Sequence, residues 1–419
     1  MKQPKIVVVS MDALFYEDLE YLKCQPVFGA FLKKAAIVER VKSIYPTLTY
    51  PCHATMTTGC WPAKHGVLNN KKFMPGVAKP DWNWYHEAYR APDLLDRAKE
   101  AGLMTAVVGW PTMGRHPHAD WIVAEIAGTS AQTAEEFRRD YLLTGTTEEL
   151  WDTLCADAIY YRAEQKQVAY FNAKCAAELI RRYQPDLLLV HLAEPDHMRH
   201  AAGIQGDGVL RALDDCEAQL AMILEGVRES GAEDCYNLVV TADHGQMNII
   251  RTAKPNVLFV ENGFAELDEA GKLKSWRAWA HTMGMSSMIR VKDPADEAAV
   301  FALLSAHCGE GFSKVYTREE AAAFGLDGDF SFVLETDDLT RFKDSFTGAY
   351  LEEEDHIKGS HGYHPDKASR PPIVAVGPSF KTGAVVPDAR LIDGAPTWAK
   401  VLGITLPDAD GAAVEGILN

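Results

Sequence analysis

The sequence predicts an α/β fold in which a mainly parallel sheet is sandwiched by helices and carries an inserted cap subdomain. Three observations lead to this prediction. Short apolar runs recur along the chain, segments with helical periodicity separate them, and residues 256–345 depart from that alternation. Strands that alternate with helices in this way indicate βαβ units, whose strands are parallel.

The predicted core strands are continuous apolar runs, mostly rich in β-branched residues, as expected where a sheet is covered on both faces. They cover residues 6–9, 106–109, 187–190, 238–240 and 373–376. Helical periodicity predicts helices over residues 92–101, 163–183 and 208–229, and a shorter helix over 52–58 with Pro51 near its first turn. We expect residues 1–255 and 346–419 to form this core.

Residues 256–345 are predicted to form the cap subdomain. They contain Trp276, Trp279, strand candidates at 289–291 and 330–334, and a helix candidate near 295–307. A second insertion at about 71–90 is rich in Trp, Tyr and Pro. Such side chains can line a substrate pocket.

Composition and charge restrict the class of protein. The net charge of −17 argues against binding a nucleic-acid polymer, whereas a small anionic substrate is compatible if metal ions reverse the local field. No run approaches the roughly 18 apolar residues of a membrane span, and the run after the basic N-terminus has only four. With eight scattered cysteines and no CxxC pair, we expect a cytoplasmic protein with reduced thiols and no membrane partner.

Three aspartates follow apolar runs: Asp12, Asp196 and Asp243. In open α/β sheets, ligands gather beyond the carboxyl ends of the strands, which is where these side chains are expected. Asp196 and His200 are four residues apart and face the same way on a helical turn. Carboxylate oxygen and imidazole nitrogen at that spacing form a natural half-site for zinc, although such a pair alone is usually surface decoration.

Two further segments carry histidines beside glycines. His244 follows Asp243 and precedes Gly245, which permits a sharp turn, and His361 lies in a Gly-Ser-His-Gly loop. A capping Asp243 with a solvated His244 is the alternative for the first segment. For Asp12, a helix N-cap is the alternative to metal binding.

Thr49 is the candidate nucleophile. It precedes Tyr50-Pro51, where a helix is predicted to open, so its hydroxyl would lie at the positive end of the helix dipole. A threonine hydroxyl needs activation, and metal coordination can provide it. The local competitors are Thr47, Ser43 and Thr55.

Several motifs, taken in order, resemble the alkaline phosphatase superfamily and specifically its nucleotide pyrophosphatase/phosphodiesterase family. They are residues 45–51 (Tyr-Pro-Thr-Leu-Thr-Tyr-Pro), 58–59 (Thr-Gly), 65–66 (His-Gly), 194–196 (Glu-Pro-Asp) with His200, 243–245 (Asp-His-Gly), 361–363 (His-Gly-Tyr), and 391–397 with 402–404. The resemblance spans nearly the whole chain. It implies an alkaline-phosphatase-like fold.

The resemblance also implies a ligand set and a mechanism. One zinc ion would be held by a first triad, which consists of Asp196, His200 and His361. A second zinc ion would be held by a second triad, which consists of Asp12, Asp243 and His244. Thr49 would attack phosphorus beside this second ion. Mn²⁺ or Mg²⁺ are alternatives to Zn²⁺. Asn70 falls where the family has an asparagine that holds a phosphoryl oxygen, and Asn69 is the near miss.

Two positions depart from the family pattern. Cys52 stands where the family often has Asn, and His364 stands where it often has Asp. Neither position is a metal ligand in the family, so we expect effects around the site rather than its loss. A sulfatase-like role for Cys52 would need a Pro and an Arg after it at set spacing, which this sequence lacks.

The expected activity is therefore metal-dependent hydrolysis of phosphodiester or pyrophosphate bonds in nucleotide-like or small organic phosphates, through a phospho-threonine intermediate. Trp84 and Tyr85, with Trp82, favour a diester, whereas Lys71 and Lys72 would suit the carboxylate of phosphonoacetate. A phosphonoacetate hydrolase-like enzyme and a phosphomonoesterase are the alternatives, and a non-catalytic binding protein is a third. The predicted substrate-binding residues are Asn70, Lys71, Trp84 and Tyr85, and the sequence leaves a homo-oligomer open.

Overall fold

The computed structural model describes residues 3–419 as a central sheet covered by helices on both faces. The strands, numbered in chain order, are β1 Lys5–Met11, β2 Ala36–Lys42, β3 Thr105–Val108, β4 Trp121–Val123, β5 Leu187–Leu192, β6 Tyr236–Thr241, β7 Met247–Asn248, β8 Arg251–Ala253, β9 Ala265–Leu267, β10 Leu273–Trp276, β11 Ala278–Thr282, β12 Ser286–Val291, β13 Phe312–Thr317, β14 Phe332–Thr336, β15 Thr340–Phe342, β16 Leu351–Glu353, β17 Gly359–Ser360, β18 Ile373–Val376 and β19 Val385–Arg390.

Helices connect most of these strands. The α-helices are α1 Leu19–Leu22, α2 Pro26–Leu32, α3 Thr49–Thr58, α4 Pro62–His65, α5 Leu94–Glu100, α6 Ala134–Leu143, α7 Glu148–Leu150, α8 Ala156–Ala163, α9 Val168–Tyr183, α10 Asp196–Ala202, α11 Asp207–Glu229, α12 Pro255–Glu261, α13 Glu297–Ala306, α14 Arg318–Ala322 and α15 Gly394–Leu402. A π-helical turn at Trp151–Cys155 joins α7 to α8. Short 3₁₀ turns lie at Tyr16–Asp18, His86–Ala88, Glu233–Cys235, Pro294–Asp296, Leu391–Asp393 and Glu415–Ile417.

The central sheet has eight strands in the order β19-β2-β18-β6-β1-β5-β3-β4. Its neighbouring strands pair in parallel, except that β18 runs antiparallel to both β2 and β6. The sheet is therefore mainly parallel, as the alternation of strands and helices predicts. The direction of β18 does not follow from its apolar sequence, because parallel and antiparallel buried strands share the same composition.

Alternate residues of the central strands enter two different apolar cores. Val7 and Val9 of β1 pack on the face covered by α9 and α11, whereas Ile6 and Val8 pack on the opposite face with α5 and α15. All four side chains are fully buried. Burial on both faces explains why the strand reads as a continuous apolar run rather than an alternating one.

The central elements match most of the predicted ones. The helices predicted over 92–101 and 208–229 are α5 and α11, and the segment 163–183 holds the end of α8 and all of α9. The helix with Pro51 near its start is α3, although it begins at Thr49 rather than at residue 52. Strands β2, β4 and β19 were not predicted, because their runs are short or interrupted by charged residues such as Glu39 and Arg40.

Part of the segment 256–345 forms a separate antiparallel sheet in the order β11-β12-β14-β13. This sheet has its own apolar cluster, to which Phe259 of α12 and Leu304 of α13 contribute. The strand and helix candidates of the segment correspond to β12, β14 and α13. A boundary between core and cap at residues 256 and 345 stays a prediction, as does the cytoplasmic location. Among the described residues, none of the helices is both long enough and apolar enough to cross a membrane.

Candidate active site

The ends of three adjacent central strands position the predicted aspartates. Asp12 directly follows β1, Asp243 comes two residues after β6, and Asp196 is the first residue of α10, a short distance after β5. The Asp196 backbone N–H donates to the Asp12 carbonyl at 3.0 Å, which ties α10 to the end of β1. Since β5, β1 and β6 are neighbours in one parallel sheet, their carboxyl ends bring these side chains to one edge.

His361 reaches the same edge through a small antiparallel ribbon. Strand β7 follows His244 by a few residues and pairs with β17, which ends directly before His361. Gly362 has a φ of 99°, and a Cβ there would lie 1.7 Å from the Met283 carbonyl oxygen, so only glycine fits beside His361. Gly245 has no positive φ and is required for a different reason. A Cβ at this position would lie 2.1 Å from the Ser369 carbonyl oxygen, so a larger residue would clash with the backbone.

The structure brings together both predicted triads. In each of the groups Asp196-His200-His361 and Asp12-Asp243-His244, one potential ligand atom per residue lies within 4.8 Å of the others. The His200 Nε2 lies 3.4 Å from an Asp196 carboxylate oxygen, and the His244 Nε2 lies 3.2 Å from Asp243 Oδ2. The two groups adjoin each other, since the His244 and His361 rings stack with their centroids 3.9 Å apart.

In each of the three histidines, Nδ1 is hydrogen-bonded to a backbone carbonyl oxygen. The Nδ1 of His200 lies 2.7 Å from the Gly359 carbonyl oxygen, that of His361 lies 2.9 Å from Thr47 O, and that of His244 lies 3.1 Å from Gly245 O. A carbonyl oxygen only accepts, so each Nδ1 is protonated and donates. The Nε2 of each neutral ring therefore keeps a lone pair that faces the site, as metal-ligating imidazoles do.

The carboxylates of the site are poorly balanced by the protein itself. Burial, together with the neighbouring Asp196 and Asp12 respectively, raises the pKa of Asp12 and of Asp243 well above the usual range. Asp12 Oδ1 and Asp243 Oδ2 are buried without any hydrogen-bond partner. Buried carboxylates that are unpaired in this way are costly unless a cation neutralises them.

In the triad of Asp196, His200 and His361, the histidines offset the effect of burial on the carboxylate. Burial alone would raise the pKa of Asp196, but the imidazoles of His200 and His361 outweigh it and hold that pKa below its usual range. Burial lowers the pKa of His361 to about 4 and that of His244 well below its ordinary value. Both rings are therefore neutral at physiological pH, the form that binds a metal. Both triads thus fit a divalent cation.

Thr49 is the first residue of α3 and lies beside the second triad. Its hydroxyl Oγ1 is 3.3 Å from the Nε2 of His244, and the residue is 9% exposed and lines a cavity. The helix N-terminus places a positive partial charge next to this hydroxyl. The position is the one predicted for a nucleophile.

The competing hydroxyls are occupied by the backbone. The Thr47 hydroxyl donates to Tyr363 O at 2.9 Å and accepts from the Gly362 N–H at 3.0 Å. Ser43 donates to Asp243 O at 2.7 Å, and Thr55 donates to Cys60 O at 3.0 Å. None of the three lines the cavity that Thr49 faces.

The two departures from the family pattern lie outside the triads. Cys52 is buried, and burial with the nearby Asp243 raises the pKa of its thiol well above the usual range, which keeps it protonated. His364 packs against Tyr45 and Phe324, and its backbone N–H donates to Glu335. A protonated, enclosed thiol is a poor nucleophile.

Asn70 and Asn69 have separate surroundings. The Oδ1 of Asn70 accepts from the Tyr50 backbone N–H at 2.9 Å, which leaves its Nδ2 donor for the cavity that the residue lines. Asn69 is buried and donates to Thr282 O at 2.8 Å, at the end of strand β11. Of the two, only Asn70 faces the same cavity as Thr49.

Comparison with known proteins decides the family. A family model described as type I phosphodiesterase / nucleotide pyrophosphatase matches residues 6–367, which is most of the chain. The chain belongs to this family. The resemblance drawn from the motifs is thereby confirmed.

Characterised relatives in the family are distant and longer. Human ectonucleotide pyrophosphatase/phosphodiesterase family member 1 is 22% identical over 248 residues, which cover 58% of this chain and 23% of that protein. The venom phosphodiesterase of Macrovipera lebetinus is 23% identical over 249 residues, covering 59% of this chain and 26% of the venom protein. The alignments thus span about a quarter of the length of these relatives.

Solved structures of the family share the fold. Murine ectonucleotide pyrophosphatase/phosphodiesterase 5, in an inactive variant in complex with AMP, superposes with a TM-score of 0.71 at 19% identity and full coverage of both chains. The human counterpart gives the same TM-score at 19% identity, covering 99% of this chain and 100% of its own. The alkaline-phosphatase-like α/β fold predicted from the sequence is therefore confirmed.

In this family member the candidate active-site cavity has a volume of about 480 Å³. Thr49 and members of both triads line it, together with Tyr50, Asn70 and Trp82. Further lining residues lie within 125–137 and 162–168, which follow β4 or belong to the region of α6, α8 and α9. The sequence offered one signal for this second group, namely the small residues Ala127-Gly128 after an apolar run.

The structure places three of the predicted substrate-binding residues elsewhere. Lys71, Trp84 and Tyr85 line a neighbouring cavity of about 560 Å³, with Trp82 contributing to both. The Trp84 ring is partly buried against the main apolar core, and its Nε1 donates to Ala127 O at 2.9 Å. The position of Trp84 therefore also serves packing, and a substrate-binding role of Lys71, Trp84 and Tyr85 stays a prediction for a cavity next to that of Thr49.

Sequence reasoning missed several side chains that support the triads. His191, at β5, places its Nε2 3.1 Å from Asp12 Oδ2, and its Nδ1 3.2 Å from Gly109 O. Gln246 is buried and donates to the Asp196 carboxylate and, at 3.2 Å, to its carbonyl. Arg199 is fully buried, donating to Ala13 O at 3.0 Å and to Asp18 at 2.7 Å, so it holds the loop after β1 against α10. No motif marks these residues, because each acts through contacts between distant segments.

Another group of potential ligands lies apart from the triads, formed by His86, Asp93, Asp96 and His116. Asp93 is the N-cap of α5, where its Oδ1 accepts from the Leu95 and Asp96 backbone N–H groups. The His116 Nδ1 accepts from the His118 N–H at 3.0 Å, so its Nε2 carries the proton and donates to Asp93 Oδ2 at 3.0 Å. This group is accounted for as a hydrogen-bonded helix cap rather than a metal site.

Proposed function

We propose that this chain hydrolyses phosphodiester or pyrophosphate bonds of nucleotide-like or small organic phosphates through a phospho-threonine intermediate at Thr49. One observation carries the proposal: the Thr49 hydroxyl lies beside two adjoining His/Asp triads whose histidine Nε2 atoms keep their lone pairs for the site. Family membership supports the reaction class. The AMP-bound murine neighbour supports a nucleotide-like substrate.

Two divalent metal ions, preferably Zn²⁺, fit the residues of the site. Asp196, His200 and His361 would hold one ion, and the triad containing Asp12 would hold the other, since both offer oxygen and nitrogen donors that zinc prefers. The unpaired oxygens of Asp12 and Asp243 are the local reason to expect cations. Bound ions would supply Lewis acidity that activates a hydroxyl and stabilises a leaving oxygen.

The protein side chains provide the nucleophile and the positioning. Thr49 Oγ1 forms a bond to phosphorus in line with the leaving oxygen, and the bond to the leaving group breaks. The α3 N-terminus and the free Nδ2 of Asn70 stabilise negative charge on the phosphoryl oxygens. The proton of the Thr49 hydroxyl leaves with the departing oxygen or to solvent. Water then attacks phosphorus and the bond from phosphorus to Oγ1 breaks, which releases the phosphate monoester and returns a proton to Thr49 Oγ1.

The test compares three substrates and two variants. Purified protein with zinc is assayed on bis(p-nitrophenyl) phosphate, p-nitrophenyl phosphate and phosphonoacetate, and we expect the diester to have the highest kcat/KM. Thr49→Ala should lower diester turnover at least about 10³-fold while metal content stays near two per chain, and Thr49→Ser should restore part of it. Retained turnover in Thr49→Ala would refute the assignment. A higher kcat/KM for phosphonoacetate or the monoester would replace the diester in the proposal.

A further inference from the structure

Arg162 is a buried cation for which the protein supplies no anion. It belongs to the last turn of α8, it is only 9% exposed, and it lines the cavity with Thr49, the triad of Asp196, and Asp12 of the second triad. Within residues 3–419 it forms no ion pair, and its Nε lacks any hydrogen-bond partner. A buried, unpaired charge is expensive, so the cavity is incomplete as the protein alone presents it.

The contacts of Arg162 with aromatic rings do not satisfy its donors. The group lies over the rings of Phe137 and Tyr141, with its central carbon 5.0 Å and 5.6 Å from the two centroids. A cation over an aromatic ring is attracted by the ring electrostatically, and this attraction is not a hydrogen bond to an acceptor oxygen. Because the side chain lines the cavity, its N–H donors are available to a ligand there.

The neighbouring residues of the cavity suit an anion in the same place. Lys166 and Gln132 line the cavity with Arg162 and carry further N–H donors. The acidic members of the cavity are Glu125 and two of the triad aspartates, Asp12 and Asp196. The aspartates belong to the proposed metal sites, and Glu125 forms no ion pair with Arg162.

We propose that Arg162 forms a second anion subsite, so that the preferred substrate carries an additional phosphate or carboxylate besides the phosphoryl group that Thr49 attacks. The proposal rests on the proposed function for the placement of the scissile group. The planar guanidinium edge matches the paired oxygens of either anion through two parallel hydrogen bonds. A substrate bound in this way would span the cavity from the triads to the α8 end.

Pairs of ligands that differ by one anion test this subsite by calorimetry on the zinc-loaded protein. Adenosine 3′,5′-bisphosphate against AMP tests a second phosphate, and 3-phosphonopropionate against ethylphosphonate tests a carboxylate. We expect the doubly anionic member of at least one pair to bind at least about tenfold tighter, as one charge-assisted bidentate contact provides. The pair that discriminates identifies which anion the subsite takes.

Variants separate an anion subsite from a structural role of Arg162. In Arg162→Gln the affinity ratio of the discriminating pair should fall below about twofold, while the singly anionic ligand keeps its Kd within about twofold. Arg162→Lys should keep part of the ratio. Arg139→Gln is the matched control, because Arg139 lies on the adjacent α6, is 70% exposed and pairs with Asp140.

Stability gives a second readout. Arg162→Met keeps an unbranched apolar stem against Phe137 and Tyr141 and removes the unpaired charge, so its Tm should equal or exceed that of the unaltered chain. The subsite is overturned if neither pair discriminates in the unaltered chain, or if Arg162→Gln keeps the ratio. The test of Arg162 measures binding, whereas the test of the proposed function measures turnover. If the diester were not turned over, the proposed function would be refuted, and the affinity ratios would still decide whether Arg162 binds an anion.

Discussion

The supporting contacts of single residues distinguish the candidate site from a chance cluster of acids and histidines. Thr47 is the clearest case, since its carbonyl accepts from His361 Nδ1 and its hydroxyl bridges Tyr363 O and the Gly362 N–H. It therefore holds both the His361 ring and the two residues that follow it. Because this hydroxyl is hydrogen-bonded to the backbone, it is not free to act as the nucleophile. Thr49, and not Thr47, lines the cavity.

Thr47→Ala should weaken the metal site without removing the nucleophile. Losing the hydroxyl leaves the buried Gly362 N–H without its acceptor and loosens His361, so zinc affinity should fall about 10- to 100-fold. Competition with a chromogenic chelator measures this affinity, and saturating zinc should restore most of the turnover. Thr49→Ala is the control, with zinc affinity nearly kept and turnover lost. Unchanged zinc affinity in Thr47→Ala would contradict the positioning role.

At the scale of single elements, helix caps and strand ends determine where the side chains of the site and its surroundings lie. Helix α5 begins at a capping box in which Asp93 and Asp96 accept each other's backbone N–H groups. Strand β11 ends at Thr282, whose N–H donates to Asp344 at 2.6 Å and whose carbonyl holds Asn69, the neighbour of Asn70. The antiparallel sheet thereby touches the segment that carries the predicted phosphoryl-oxygen donor.

Asp93→Ala should lower the free energy of unfolding by about 3 kcal/mol. The change removes an N-cap and leaves the Nε2 donors of His86 and His116 without their acceptor. Asp93→Asn, which keeps the cap oxygen, should lose less. Urea denaturation followed by circular dichroism measures both.

The pH dependence follows from the direction of the Asp93 shift. Burial alone would raise the pKa of Asp93, but His116 and His86 outweigh it and hold that pKa below its usual range. A lowered carboxyl pKa gives stability that is present above the unfolded pKa of about 4 and is lost as pH falls through the folded pKa. The advantage of the unaltered chain over Asp93→Asn should therefore shrink at acid pH, and a constant difference would contradict the charged contact.

Asp344 is expected to show the opposite pH dependence. Burial raises its pKa to about 6, although the Thr282 N–H and the charges of Lys71 and Arg290 act against this. A raised carboxyl pKa means that stability falls as pH rises from about 4 to about 6. Asp344→Asn keeps an acceptor for Thr282, so above pH 7 it should be more stable by about 2 kcal/mol in urea denaturation. A variant that is less stable at pH 8 would refute this reading.

For the whole molecule, the candidate site joins segments that are far apart in sequence. Its triads combine the ends of β1, β5 and β6 with the loop after β17, so ions held by both triads would link segments from Asp12 to His361. Without metal, the folded protein keeps three carboxylates, those of Asp12, Asp196 and Asp243, buried close together. Asp12 and Asp243 each have one oxygen without a hydrogen-bond partner. Binding to the folded state alone stabilises it by mass action.

Removing metal should therefore destabilise the whole fold, not only abolish turnover. Chelation should lower Tm by several degrees, and zinc should restore Tm and activity better than manganese or magnesium. Differential scanning calorimetry measures the shift. Asp243→Asn is the matched variant, because it removes one unpaired charge and should raise the Tm of the chelated protein while reducing the gain from zinc. An unchanged Tm on chelation, with metal content below one ion per chain, would contradict the two-metal proposal.

Local sequence was sufficient for most of the central elements, whereas the residues of the triads followed from the resemblance of the motifs to a family. Apolar runs such as 6–9 and 187–190 predict strands because a strand buried on both faces has no other composition. The order of the Asp, His and Thr motifs predicts their family because the chemistry requires those residue types. Local patterns do not reveal supporting residues such as His191 and Gln246, whose partners lie on other segments.

The sequence by itself determined the α/β class through short-range periodicity and the family through the order of its motifs, and the two triads were then implied by the resemblance to that family. The tertiary structure decided what surrounds the triads. The Thr47 hydroxyl is hydrogen-bonded to the backbone. Lys71, Trp84 and Tyr85 line a neighbouring cavity, whereas Arg162 lines the cavity of Thr49. Such proximities arise from how helices pack on the sheet, and they join residues whose spacing in sequence carries no information about their distance in space.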